Sequence, residues 1–151
     1  MTGFGVVSRL ASPGHHWVDI IDISEFKKSA EKGREVMFGM HHVLDSYMNR
    51  SLVFGTTIAR RQTRFWKMSR EGLVTTEPID FHTEALLFIE HTARLAYAST
   101  AQLGIDDTAA LTQDKERIAT ISINKETYFI VRTLFQHPAH NICSRAARIC
   151  G

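Results

Sequence analysis

Asp19, Glu25 and Lys27 sit within the run Trp17-Val-Asp-Ile-Ile-Asp-Ile-Ser-Glu25-Phe-Lys27, a β-branched, apolar stretch that reads as a strand. Side chains alternate along a strand, so residues two or six apart share a face. If the run stays extended, these three groups point the same way. Two converging carboxylates hold a divalent cation through oxygen. A neighbouring ammonium stabilises a hydroxide nucleophile or the charge that develops during phosphoryl chemistry. The spacing therefore predicts Asp19 and Glu25 as ligands of Mg²⁺, with Lys27 positioning the attacking water. The plainer alternative is a solvated strand end whose charges pair at the surface for about 0–1 kcal/mol. Ile20, Ile21 and Ile23 favour a partly buried strand, where charged side chains need partners. Asp22 is the substitute acid if the strand kinks.

A second group is basic. Arg60, Arg61, Arg64, Lys67 and Arg70 crowd one segment that also holds Phe65 and Trp66. Arginines on a hairpin reach phosphates, and an exposed Trp stacks on a base. These residues are the predicted nucleic-acid contacts. The alternative is a solvent-facing hairpin whose aromatic residues alternate between core and surface. Other combinations are weaker. His137, His140 and Cys143 have ligand-like spacing, but the wide gap to Cys150 argues against a zinc quartet. His41 and His42 face different ways on a helix, His15 and His16 precede the key strand, and His82 and His91 stand isolated. There is no Gly-x-Ser-x-Gly, and Gly3-Phe-Gly5 lacks the rest of a phosphate-binding loop.

These side chains need a scaffold. A strand at Phe4–Ser8 precedes the acidic run. Ser29 could cap a helix to about Asn49, with Val36, Met37, Met40, Val43, Leu44 and Tyr47 at helical spacing. Ser51–Ala59, Thr63–Met68 and Leu73–Thr76 read as a three-stranded meander. Thr83–Leu103 reads as a long helix ended by Gly104, and Ala109–Lys115 as a short helical piece. Arg117–Ile123 and Thr127–Leu134 read as strands around Asn124-Lys125.

The net charge of +2 is too small to announce a nucleic-acid partner by itself, so the location of the charges decides. Two cysteines make no disulfide framework and suit a reducing compartment. No signal-peptide pattern opens the chain, and its apolar stretches are short for a membrane span. These features predict a soluble intracellular protein with no membrane partner.

The order of these elements resembles the amino-terminal, pre-kinase region of the fungal-type protein kinases. The likeness is carried by Trp17…Glu25-Phe-Lys27, by Arg50-Ser-Leu-Val-Phe-Gly-Thr-Thr57 with Thr63-Arg-Phe-Trp66, by Ser69-Arg-Glu-Gly72 leading to Ile79-Asp-Phe81, and by Gln102-Leu-Gly-Ile-Asp-Asp-Thr108. Ser144-Arg-Ala-Ala-Arg-Ile-Cys150 is similar to the segment where that family's kinase portion begins. The chain has no lysine-bearing nucleotide strand, no His-Arg-Asp loop and no Asp-Phe-Gly, so the resemblance implies no kinase activity by this chain alone. The pre-kinase region itself resembles a PD-(D/E)XK nuclease core, with Asp19, Glu25 and Lys27 in its acidic and lysine positions.

The combined expectation is an α/β fold: a mixed sheet with helices packed on it, nuclease-like over residues 1–110, with a carboxy-terminal β-hairpin and tail over 111–151 packed on it as one domain. The leading functional expectation is a Mg²⁺-dependent, nuclease-like domain that binds or cleaves nucleic acid. The alternative is a non-catalytic protein-interaction module from a kinase-associated region.

Overall fold

The computed structural model describes residues 3–8, 20–27, 34–47, 49–111, 118–131, 133–136 and 148–150. The main sheet holds β1 (Gly3–Ser8), β2 (Ile20–Lys27), β3 (Leu52–Ala59), β4 (Gln62–Ser69) and β5 (Leu73–Thr75) in that spatial order, and β6 (Ile79–Asp80) also pairs with β4. It is mixed: β2 and β3 run parallel, and every other pairing is antiparallel. A parallel pair cannot be joined by a tight hairpin and needs a crossover. Helix α1 (Arg34–Ser46) lies in that crossover.

Val36, Met40, Val43 and Leu44 recur at helical spacing and form the buried stripe of α1. They pack with Ile20, Ile23, Val53, Trp66 and Met68 from the sheet. The approach is close at Gly55, where an added Cβ would lie 2.6 Å from Met40 Sδ. Arg70 closes the far end of the helix by donating to the carbonyls of Leu44 (3.0 Å) and Tyr47 (3.4 Å).

Helix α2 (Ala85–Tyr97) is held differently. Phe88, His91, Leu95 and the following Ala98 are half-buried, and no residue of α2 is fully buried. The contact is aromatic: the His91 ring stacks on Phe65 at 3.6 Å, and Phe88 lies between Phe65 and Phe81 at 6.1 and 5.9 Å. Phe65 precedes Trp66 in β4, and side chains alternate along a strand. The two helices therefore cover opposite faces of the sheet.

Three differences from the sequence reading have physical causes. The second helix ends at Tyr97 instead of Leu103, and Gly104 serves a later turn. There its φ of +72° lets its carbonyl accept from Ser51 N at 2.8 Å, so that 98–105 folds back against the start of β3. The expected helical piece at 109–115 begins instead as β7 (Ala109–Leu111), whose backbone is claimed by β8 (Ile118–Ile123). β9 (Glu126–Phe129) completes a separate three-stranded sheet. Asn124 and Lys125 are both left-handed at its hairpin, the geometry that matches strand twist in a two-residue turn. The single strand expected over 127–134 divides into β9 and β10 (Thr133–Gln136), and β10 pairs with β11 (Arg148–Cys150). Among the described residues no helix is long and apolar enough to cross a membrane.

Candidate functional site

Ile23, Glu25 and Lys27 alternate onto the face of β2 that α1 covers. Apolar packing ends at Ile23, so the next two side chains on this face enter the seam as charges. Glu25 is fully buried, and Lys27 Nζ lies 3.1 Å from its Oε1, with the two side chains 1 % and 5 % exposed. The same ammonium lies 2.7 Å from Oε2 of Glu35, in the first turn of α1. Lysine thus sits between two carboxylates, one buried and one half-exposed. Glu35 carries no signal in the sequence, because only the crossover brings the first turn of α1 back over the end of β2.

The two acids are pushed apart electrostatically. Burial raises the Glu25 carboxyl above its usual range, and the hydrogen bond from Lys27 opposes this. The hydrogen bond from Lys27 and contact with Glu25 lower Glu35 to about 2. Burial draws the Lys27 pKa down, but its hydrogen bonds to Glu35 and Glu25 outweigh burial and hold it above its ordinary value. The cluster therefore pairs an easily protonated buried acid with a carboxylate that stays ionised, a separation of roles used in acid–base chemistry.

The predicted site residues are only partly assembled. Glu25 and Lys27 meet as an ion pair. Asp19 lies outside the described residues, as do His15, His16, His137, His140 and Cys143. The alternation used to place Asp19 with Glu25 is interrupted within β2. Val7 pairs with Asp22 and Ser8 with Ile20, which leaves Ile21 as an extra residue. Ile20 and Ile23, three positions apart, consequently both enter the α1-side core. Asp22, the substitute acid, points to the opposite face from Glu25. It accepts from Ser24 Oγ at 2.6 Å and Thr56 Oγ1 at 3.1 Å, and burial raises its pKa against those two hydrogen bonds.

For Mg²⁺, the described residues offer two carboxylates with an ammonium already between them. No group of three or more His, Cys, Asp or Glu side chains converges as a metal site among the described residues.

The basic hairpin is dispersed. Arg60 and Arg61 lie at the β3–β4 turn, where Arg60 is left-handed (φ 56°) and Arg61 pairs with Asp80 at 3.2 Å. Arg64 donates to the Thr76 carbonyl at 3.4 Å, and Arg70 is committed to the end of α1. Lys67 is exposed on the opposite face from Arg64. Trp66, expected as a stacking platform for a base, is 8 % exposed and donates from Nε1 to Thr57 Oγ1 at 2.9 Å. Its ring belongs to the α1 core because β4 is an interior strand with both faces covered. Arg61 and Arg70 are separated by most of β4, about 30 Å if fully extended.

Two further features escaped the sequence reading. Arg50 is 1 % exposed and donates from Nη2 to the Ile20 carbonyl. It stands beside an apolar strand where composition gives no hint of a buried guanidinium. His91, isolated in sequence, becomes the centre of the α2 contact.

A family model described as fungal protein kinase matches residues 6–150 of the chain. No curated protein and no solved structure matches it.

Proposed function

The chain belongs to the fungal protein kinase family, and we propose that it acts there as a non-catalytic protein-interaction module whose partner is a kinase catalytic portion of the same family. The carrying observation is the outer surface of α2. Leu86, Leu87, Ile89 and Tyr97 are 81, 48, 60 and 87 % exposed, although the helix is apolar enough to be covered. Exposed apolar side chains grouped on one element mark an interaction surface. The partner assignment rests on family membership.

The test is association of the purified chain with a separately purified catalytic portion of a family member, measured by calorimetry. Binding that persists in high salt and is lost in Leu86→Asp/Ile89→Asp is the expected result. Absence of binding, or binding unchanged in the double variant, overturns the reading. Steep weakening with salt would indicate charge-driven contact.

A second reading is a nuclease-like acidic site, active or inactive, with Asp19 and Glu25 on Mg²⁺ and Lys27 beside them. Its support is the Glu25–Lys27 contact alone. Divalent-dependent cleavage of DNA and RNA by the wild type and by Glu25→Ala decides it. Activity that depends on Glu25 supports this reading, and none in the wild type, or equal activity in both, removes it.

A further inference from the structure

Helix α2 meets the main sheet through a thin seam. No residue of α2 is fully buried, and its inward stripe is Phe88, His91 and Leu95. His91 is the middle of that stripe, with its ring on Phe65 at 3.6 Å. Its Nε2 is buried and meets no hydrogen-bond partner among the described residues. A neutral imidazole can leave Nε2 without a proton, whereas an imidazolium makes both ring nitrogens donors. A buried N–H with no acceptor is costly, and a buried charge with no partner costs more.

The acids around α2 are engaged elsewhere. On the helix itself, Glu90 is bonded to Arg94 at the surface. In the segment before it, Asp80 pairs with Arg61, Glu84 accepts from Asp80 N, and His82 lies on Phe81. Asp22, on the same sheet face, accepts from Ser24 and Thr56 through its two oxygens. On β4, Lys67 shares the face of Phe65 and brings a like charge. On β3, Phe54 lines the same cleft as His91 and is uncharged. After the helix, Gln102 Oε1 accepts from Ser99. The Phe65 ring attracts a cation, which opposes the penalty; burial still lowers the His91 pKa.

From this seam we infer that α2 is a proton-sensitive element: uptake of a proton by His91 releases the helix from the sheet while both its ends stay tethered. The tethers are the Asp80 carbonyl, which accepts from Thr83 N and Glu84 N, and the Gly104 carbonyl, which accepts from Ser51 N. The seated helix holds the neutral ring, and the released helix takes up the proton more readily. Seating is therefore complete above the ordinary value of 6.5 and weakens as pH falls below it. Glu25 and Asp22 have the opposite sign, since their raised carboxyls favour the folded state as pH falls. The inference concerns how α2 is seated and holds whatever its outer face binds.

The experiment is amide hydrogen exchange of the full chain at pH 7.5 and 5.5, corrected for intrinsic rates. The opening constant of α2 amides is expected to rise by up to about tenfold at the lower pH, while those of β3 and β4 do not rise. His91→Phe keeps a ring on Phe65 without the titrating nitrogens, and its α2 opening should be the same at both pH values. His82→Gln, at an exposed position, should respond like the wild type. In the wild type the His91 ring signals, followed by NMR, should titrate with a midpoint below 6.5. A His91 midpoint at or above that value overturns the inference, and so does the absence of a rise in the wild type. An equal rise in His91→Phe, a rise shared by β3 and β4, or loss of the response in His82→Gln overturns it too.

Discussion

Lys27 Nζ and Glu25 Oε1 stand 3.1 Å apart with almost no solvent around either side chain. This pair ties the end of β2 to α1, because Lys27 also holds Glu35 at 2.7 Å. Breaking a buried ion pair on one side strands the other charge, at a cost of about 3–5 kcal/mol. Replacing both partners with neutral groups avoids that penalty. Lys27→Met is therefore expected to destabilise the fold by an amount in that range, read by urea denaturation at pH 7. Adding Glu25→Gln to Lys27→Met is expected to recover a large part of the loss. A double variant no more stable than Lys27→Met would show that the stranded carboxylate is not the source of the cost.

The Glu25 cluster also sets a pH dependence. Burial holds the folded-state pKa of Glu25 above its ordinary value of 4.5, so the folded state binds that proton more tightly than the unfolded chain does. As pH rises from 4.5 through the raised value, stability is lost, and the loss is complete above it. Glu35 has the opposite sign: with its pKa lowered to about 2, its contribution is present above 4.5 and disappears as pH falls toward 2. Glu25→Gln should flatten the stability profile above pH 4.5 while an acid-side decline remains. Asp22, also raised by burial, keeps a residual slope. Thermal midpoints between pH 3 and 8, of the wild type and variant together, read this out; parallel profiles above pH 4.5 would contradict it.

Arg70 is a structural residue in this fold. Its two hydrogen bonds to the Leu44 and Tyr47 carbonyls satisfy acceptors that the end of α1 leaves open. Arg70→Ala is expected to cost about 1–3 kcal/mol. The corresponding change at exposed Arg61, whose partner Asp80 is also at the surface, should cost no more than about 1 kcal/mol. Chemical denaturation of the two variants side by side gives the comparison, and equal losses would refute it.

Gly104 is needed for its backbone. Its φ is +72°, and an added Cβ would approach the Leu52 backbone nitrogen to 2.8 Å. Gly104→Ala should therefore destabilise by about 2 kcal/mol or more. At Gly72 nothing lies within 4 Å of an added Cβ, and Gly72→Ala should stay within about 0.5 kcal/mol of wild type. Denaturation midpoints that place the two variants together would reject this distinction.

Local pattern in the sequence determined a good deal. The spacing of Val36, Met40, Val43 and Leu44 marked α1 and its inner stripe, and alternation marked β3 and β4. Asn124-Lys125 marked a hairpin, and Glu25-Phe-Lys27 marked two charges on one strand face. These are short-range properties, set by the helical and strand periods and by turn chemistry. Tertiary structure alone decided the rest, because the deciding neighbours are distant along the chain. Crossover brought Glu35 onto Lys27, the extra residue at Ile21 interrupted the face on which Asp19 was counted, and coverage of both sides of β4 withdrew Trp66 from the surface. Strand pairing turned 109–111 from an expected helix into β7, since a partner strand's hydrogen bonds override a weak local preference. His91 shows the same dependence: an isolated histidine in the sequence becomes the point where α2 rests on Phe65, because packing, unlike periodicity, is a property of surfaces that meet only after the chain has folded.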